Sequence, residues 1–129
     1  MDRARAARAT SFGRTATEYE RGRARYPNEA VRWLVGESSR IVDLGAGTGK
    51  LTGALVAPAA EVVALEPQHA MAVELRRTAP DALAACAVAE AAPVRSQWAE
   101  AVVVAQAFHW FDQERAVPEI RRLLAPGGR

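Results

Sequence analysis

A chain of 129 residues, half of them hydrophobic but only 6% aromatic, has the size of one domain and the Ala-, Val- and Leu-rich apolar content of a parallel sheet covered by helices. No apolar run reaches the length of a membrane span, and no basic head followed by an apolar stretch marks a signal peptide, so a soluble, cytoplasmic protein without a membrane partner is expected. The formal charge of +2 is uneven, with eight arginines against four acids in residues 1–32 and nine basic against eleven acidic residues in 33–129, which is too small a basic surface to predict a nucleic-acid partner.

In chain order, residues 1–27 read as an N-terminal arm, Ala/Arg-rich at its start, and residues 28–129 as one domain. Asn28 is placed to cap an amphipathic helix that begins Glu29-Ala30-Val31-Arg32-Trp33-Leu34-Val35. A first strand over 41–44 runs into a loop at 45–49, and a helix over about 51–56 is stopped by Pro58. A second strand over 61–65 precedes a helix over about 68–78, with Met71, Leu75 and Ala79 on one face. A third strand lies near 83–88. It contains the single cysteine, Cys86, whose apolar neighbours predict a buried thiol and not a nucleophile. After the loop around Pro93, the run Ala101-Val102-Val103-Val104-Ala105 is a fourth strand. A final helix over about 113–124 puts Val117, Ile120, Leu123 and Leu124 on one face before Pro126-Gly127-Gly128. This alternation, with a short or missing third helix, predicts an α/β Rossmann-like fold: a doubly wound, mostly parallel sheet with helices on both faces. Its ligands bind beyond the carboxyl ends of the strands, where the strand order reverses.

The segment Ile41-Val42-Asp43-Leu44-Gly45-Ala46-Gly47-Thr48-Gly49 carries the most chemical information. Glycines at alternate positions allow a sharp turn, positive φ and close approach of a ligand to the main chain. The loop is not a P-loop: alignment on Gly49-Lys50 puts the first glycine on Leu44 and the hydroxyl position on Leu51. It also departs from the dinucleotide fingerprint G-x-G-x-x-G, whose third glycine falls on Lys50, which disfavours a nicotinamide or flavin oxidoreductase. Lys50 itself reads as a solvated residue in the first turn of the next helix. A second acid, Glu66, closes the strand Val62-Val63-Ala64-Leu65 at 19 residues beyond Gly47, where a carboxylate can accept from both ribose hydroxyls of a bound nucleoside.

With these two features, the chain resembles the class I S-adenosylmethionine-dependent methyltransferases, in particular the small-molecule branch called type 11, over about residues 12–129. The resemblance implies S-adenosylmethionine as cofactor, a small-molecule methyl acceptor and no metal. It implies that Asp43, Gly45, Ala46, Gly47 and Thr48 line the methionine and ribose part of the cofactor and that Glu66, followed by Pro67, holds the ribose. Physical logic agrees, since a cofactor with an ammonium and a sulfonium but no phosphate favours a carboxylate such as Asp43 over a lysine clamp. The stretch Val88-Ala89-Glu90-Ala91-Ala92-Pro93 matches the loop that contacts adenine. Where many members place an acid there, this chain has Val88, so that contact falls to the main chain near Ala89 or to Glu90.

The stretch Gln106-Ala107-Phe108-His109-Trp110-Phe111-Asp112 resembles the segment that borders the methyl donor, with Gln106 on the cofactor side and Phe108 and His109 on the substrate side. There Asp112 reads as a helix cap, and His109 is a candidate general base or a structural histidine. Tyr19, Arg23 and Tyr26-Pro27 resemble the arm that folds over the cofactor, although their aromatics equally fit an anchor on the sheet. The implied reaction is an in-line displacement at the sulfonium methyl, helped mainly by proximity and orientation, with no obligatory catalytic residue. The family fold continues past Pro-Gly-Gly with a fifth strand beside the fourth, whereas this sequence stops at Arg129. The expectation is therefore a truncated sheet with an uncovered strand-four edge, open to self-association or to a second chain, and an alternative function as a binding-only fragment.

Overall fold

The structure, a computed structural model, describes residues 26–56 and 61–129. Tyr19, Arg23 and Pro58 lie outside the described residues. Helix α1 spans Asn28–Val35, β1 Arg40–Leu44, α2 Lys50–Leu55, β2 Glu61–Leu65, α3 His69–Thr78, β3 Leu83–Ala85 and β4 Ala101–Val104. A short 3-10 turn, Phe108–Trp110, precedes α4, Gln113–Leu123.

The strands form one sheet in the order β3-β2-β1-β4, and all three pairings are parallel. Ile41 sits opposite Val62 and Ala101, and Leu44 opposite Leu65 and Val104, so the carboxyl ends of β1, β2 and β4 are level. From β1 to β3 the chain steps in one direction and then crosses back to place β4 on the other side of β1. The reversal opens a crevice beyond the ends of β1 and β4, the place where open α/β sheets bind ligands. The period-two alternation of each strand builds two cores. On one face Ile41, Val62 and Val103 pack against Val31 and Val35 of α1 and Leu51 and Leu55 of α2, while Ala64 meets Leu75 of α3. On the other face Val42, Leu44 and Leu65 pack with Phe111 and with Ala116 and Leu123 of α4.

Residues 86–100 replace the third helix with an irregular crossover that contributes Ala89, Ala92 and Ala99 to this second core. One side chain holds the segment. Arg122 of α4 donates to the carbonyls of Ala92 and Val94 and to Ser96 Oγ, and it pairs with Glu119, whose other oxygen accepts from the Ala92 N–H at 2.7 Å. Backbone polar groups of the crossover thereby find partners that a helix would otherwise supply.

Several local expectations are corrected. Pro27 stands at the N-cap of α1, where Asn28 was expected, and no side chain caps the helix; Pro at this boundary has its φ already set near the helical value. Strand β3 is three residues long, although pairing continues beyond it through Glu66 N–H to Ala85 O and Ala87 N–H to Glu66 O. Because β3 is the sheet edge, Leu83 is 71% exposed and Cys86 is exposed, its Sγ lying 3.3 Å from Pro67 O, so the predicted burial of Cys86 does not hold. The outer edge of β4 is not wholly uncovered. After α4 the chain returns beside it, with Arg129 N–H donating to Glu100 O and Val102 N–H to Arg129 O at 3.0 and 2.9 Å.

Candidate functional site

The loop after β1 takes left-handed backbone at each glycine, with φ of +64° at Gly45, +60° at Gly47 and +96° at Gly49. Side chains are disfavoured there by conformation alone. At two of the three, packing adds a second reason. A Cβ on Gly45 would stand 2.7 Å from Ala107 Cβ, and one on Gly49 would stand 2.6 Å from Thr78 Oγ1. The missing side chains at 45 and 49 therefore admit the segment after β4 and the end of α3, a role distinct from the ligand approach expected from sequence. Ala46 N–H reaches across to Leu65 O at 3.0 Å, and Thr78 Oγ1 donates to Thr48 O, so the loop is tied to β2 and α3. Lys50 is the first residue of α2 and half-buried.

Two acids flank the loop. Asp43 is buried, and Thr52 Oγ1 on the inner face of α2 donates to its Oδ2 at 2.7 Å. Glu66, 5% exposed, accepts from Gly47 N–H through Oε1 at 3.0 Å and from Gln68 N–H through Oε2 at 2.7 Å. Burial pushes the Glu66 carboxyl above its usual value of 4.5, against the opposing pull of the Gln68 and Gly47 N–H groups. An ionised carboxylate offers about four lone-pair sites, so two backbone donors leave acceptor capacity for a ligand.

The segment after β4 forms the facing wall. Gln106 adopts φ of +58°, a conformation that costs a residue with a side chain on the order of 1–2 kcal/mol and persists where the surroundings fix it. Ala107 is buried against the loop at Gly45. Phe108 is 38% exposed and meets Phe111 edge to face, with centroids 5.9 Å apart. His109 is exposed, its ring tilted on Trp110 at 4.7 Å between centroids. Asp112 occupies the N-cap of α4 but makes no side-chain capping bond, which corrects the expected cap; its N–H donates instead to Glu90 Oε1 at 2.9 Å.

On the third side, Val88 is exposed, and the Ala89 side chain is buried in the core, leaving its main chain as its only polar group. Of the predicted residues, Asp43 stands near the carboxyl end of β1, and 45–48, Glu66, Pro67, Ala89, Glu90, Gln106, Phe108 and His109 stand in the loops that follow the carboxyl ends of the four strands. Tyr19 and Arg23 lie outside the described residues. Thr52, Thr78 and Arg122 did not emerge from sequence reasoning. For Thr52 a signal existed, a hydroxyl between Leu51 and Leu55 on the sheet-facing side of α2. Among the described residues no group of three or more His, Cys, Asp or Glu side chains is arranged to hold a metal, and no helix is long and apolar enough to cross a membrane.

The fold and this loop geometry agree with sequence comparison: residues 42–129 match the methyltransferase-domain family of type 11, and the chain belongs to the class I S-adenosylmethionine-dependent methyltransferases. An uncharacterized methyltransferase of Mycobacterium tuberculosis is 48% identical over 120 residues, which are 92% of this chain and 49% of the relative. A malonyl-(acyl-carrier protein) O-methyltransferase of Methylococcus capsulatus is 37% identical, over 92% of this chain and 48% of its own. Among solved structures, a putative type II methyltransferase from Anaeromyxobacter dehalogenans superposes with a TM-score of 0.74 at 31% identity, covering 82% of this chain and 46% of that one. The chain spans about half the length of the curated relatives it matches.

Proposed function

We propose that this chain binds S-adenosylmethionine beyond the ends of β1 and β2 and contributes the cofactor half of a methyltransferase that acts on a small molecule. The observation that carries the reading is the buried Glu66 carboxylate, which holds Gly47 N–H and Gln68 N–H at the sheet's ligand end and keeps acceptor capacity for a ribose diol. The fit extends to the rest of the loop. Asp43, fixed by Thr52, supplies negative charge toward a cationic cofactor. Ala46, Gly47 and Thr48 present backbone, Pro67 and the Ala89 main chain border the nucleoside, and Gln106 closes the far side.

When bound, S-adenosylmethionine supplies an electrophilic methyl group on a sulfonium. The chain's own task is then to orient the two reactants and exclude water, which brings most of the rate in a displacement of this kind. Phe108 and His109, exposed at the turn after β4, stand on the acceptor side, and His109 is available to take the acceptor's proton. The arm residues Tyr19 and Arg23 complete the proposed cover over the cofactor, with residues 1–27 as arm and 28–129 as binding domain.

Calorimetric titration with S-adenosylhomocysteine and with NAD tests the reading. Tighter binding of S-adenosylhomocysteine is expected, and Glu66→Ala weakens it by roughly 1–3 kcal/mol, the usual effect of removing a charged hydrogen-bond partner. Preference for NAD, or an unchanged constant in the variant, overturns it. A second reading is binding without turnover. A methyl-release assay on the same protein separates the two.

A further inference from the structure

Glu90 and Asp112 are 22 residues apart in sequence and joined by one hydrogen bond, from Asp112 N–H to Glu90 Oε1 at 2.9 Å. The bond runs from the loop after β3 to the start of α4, and so connects two walls of the proposed cofactor crevice. At that helix start the Asp112 carbonyl accepts from the N–H groups of Arg115 and Ala116, while its side chain caps nothing. The other end of the segment is equally constrained. Gln106 is held in left-handed backbone, and Ala107 and Phe111 fill the space over Gly45, where an added Cβ would meet them at 2.7 and 3.2 Å. Residues 106–112 are thus seated on the glycine loop at one end and tied at the other by a side chain from the β3 loop.

We propose that Glu90 is a positioning residue: by holding Asp112 N–H it fixes the 106–112 segment against the glycine loop, and it does not read the adenine itself. The proposal rests on the cofactor reading above. It assigns adenine recognition in this chain to the main chain near Ala89 and gives the acid that follows a mechanical role. Phe108 and His109, which face the acceptor side, are carried on the segment that Glu90 secures.

The test measures amide exchange of the full chain by NMR without ligand, and affinity for S-adenosylhomocysteine and for S-inosylhomocysteine, which lacks the adenine amino group. In Glu90→Ala the Asp112 amide should exchange about tenfold faster or more. S-adenosylhomocysteine should then bind roughly fivefold more weakly, a coupling of ordinary size. Glu90→Gln, whose amide oxygen still accepts from Asp112 N–H, should restore both. The ratio of the two ligand affinities should be the same in all three proteins. A ratio that collapses in Glu90→Ala assigns Glu90 to the adenine amino group and overturns the proposal, as does an unchanged Asp112 exchange rate. If Glu90→Ala fails to fold, Glu90→Asp, one methylene too short to span the gap, takes its place. Failure of the wild-type chain to bind S-adenosylhomocysteine removes the cofactor reading, whereas the exchange measurement still decides the tie between Glu90 and Asp112.

Discussion

The loop after β1 and the crossover 86–100 are both irregular segments laid over the sheet, and each is secured by a carboxylate that accepts backbone N–H groups. They differ in where the carboxylate sits. Glu66 is buried, its two oxygens are each met by one N–H, and desolvation lifts its pKa. Glu119 shares its oxygens between Ala92 N–H and Arg122, and the hydrogen bond from the guanidinium pulls its pKa down despite some desolvation. The crossover is therefore charge-compensated, with its carboxylate matched by a neighbouring cation. The loop after β1 keeps an acid in a setting that disfavours ionisation, the kind of tension that accumulates where a ligand is to be bound. The comparison separates a segment whose carboxylate is paired with a cation from one whose carboxylate is buried and met by backbone N–H groups.

The strongest way to break the contrast is to fill the glycine loop. Gly49→Ala places a Cβ at φ of +96° and 2.6 Å from Thr78 Oγ1, which should lower stability by about 3 kcal/mol from backbone strain and overpacking together. A thermal melt should fall by roughly 10 °C for a domain of this size. An unchanged melt would mean that α3 slides away freely and that the loop is not tied to it. The next effect concerns the crossover. Arg122→Ala removes the donor to Ala92 O, Val94 O and Ser96 Oγ and should cost about 2 kcal/mol in chemical denaturation. Affinity for S-adenosylhomocysteine should stay within about twofold, since the loop after β1 has its own ties. A large loss of affinity would merge the two regions into one unit.

Much of this division was legible in sequence. Strands β1, β2 and β4 are short Val-, Ile- and Leu-rich runs bounded by acids, glycines or turns, and the structure places them within one residue of the expected bounds. The glycine loop declared its positive φ through its spacing. The reason for two of the glycines did not, because Ala107 lies 62 residues beyond Gly45 and Thr78 lies 29 beyond Gly49, and only the fold brings them close. Cys86 was misjudged because apolar neighbours do not tell an edge strand from a central one. Arg122 looked like an ordinary base in the last turn of a helix. Its partner Glu119 is visible at i,i+3 spacing, but the carbonyls it holds at 92 and 94 are set by where the crossover runs. Asp112 matched the residue preference of a helix cap, yet the bond at that position is made from 22 residues away by Glu90.

The smallest expected effect is also the cleanest discriminator between the two carboxylates, because its sign differs. A group whose pKa is lowered in the folded state stabilises above its unfolded value, and that contribution is lost as pH falls through the folded value. Glu119 belongs to this class, so the stability difference between wild type and Glu119→Gln should shrink as pH drops below 4.5. Its size is about 1 kcal/mol or less for a pair near the surface. Glu66, whose pKa is raised, behaves in the opposite way. Its contribution is fully present below 4.5 and is lost as pH rises through the folded value. Relative to Glu66→Gln, the wild type should therefore gain stability as pH falls through the folded value of Glu66 toward 4.5, above the interval in which Glu119 acts. Urea denaturation of the three proteins between about pH 3.5 and 7 reads both slopes. Slopes of the same sign would show that burial does not set the protonation of Glu66, and the distinction between a compensated and an uncompensated acid would fail. Opposite slopes would support a second step: a cationic ligand bound beside Glu66 favours the ionised form, so affinity for S-adenosylmethionine should rise with pH across the Glu66 titration more steeply than affinity for S-adenosylhomocysteine, which lacks the sulfonium charge.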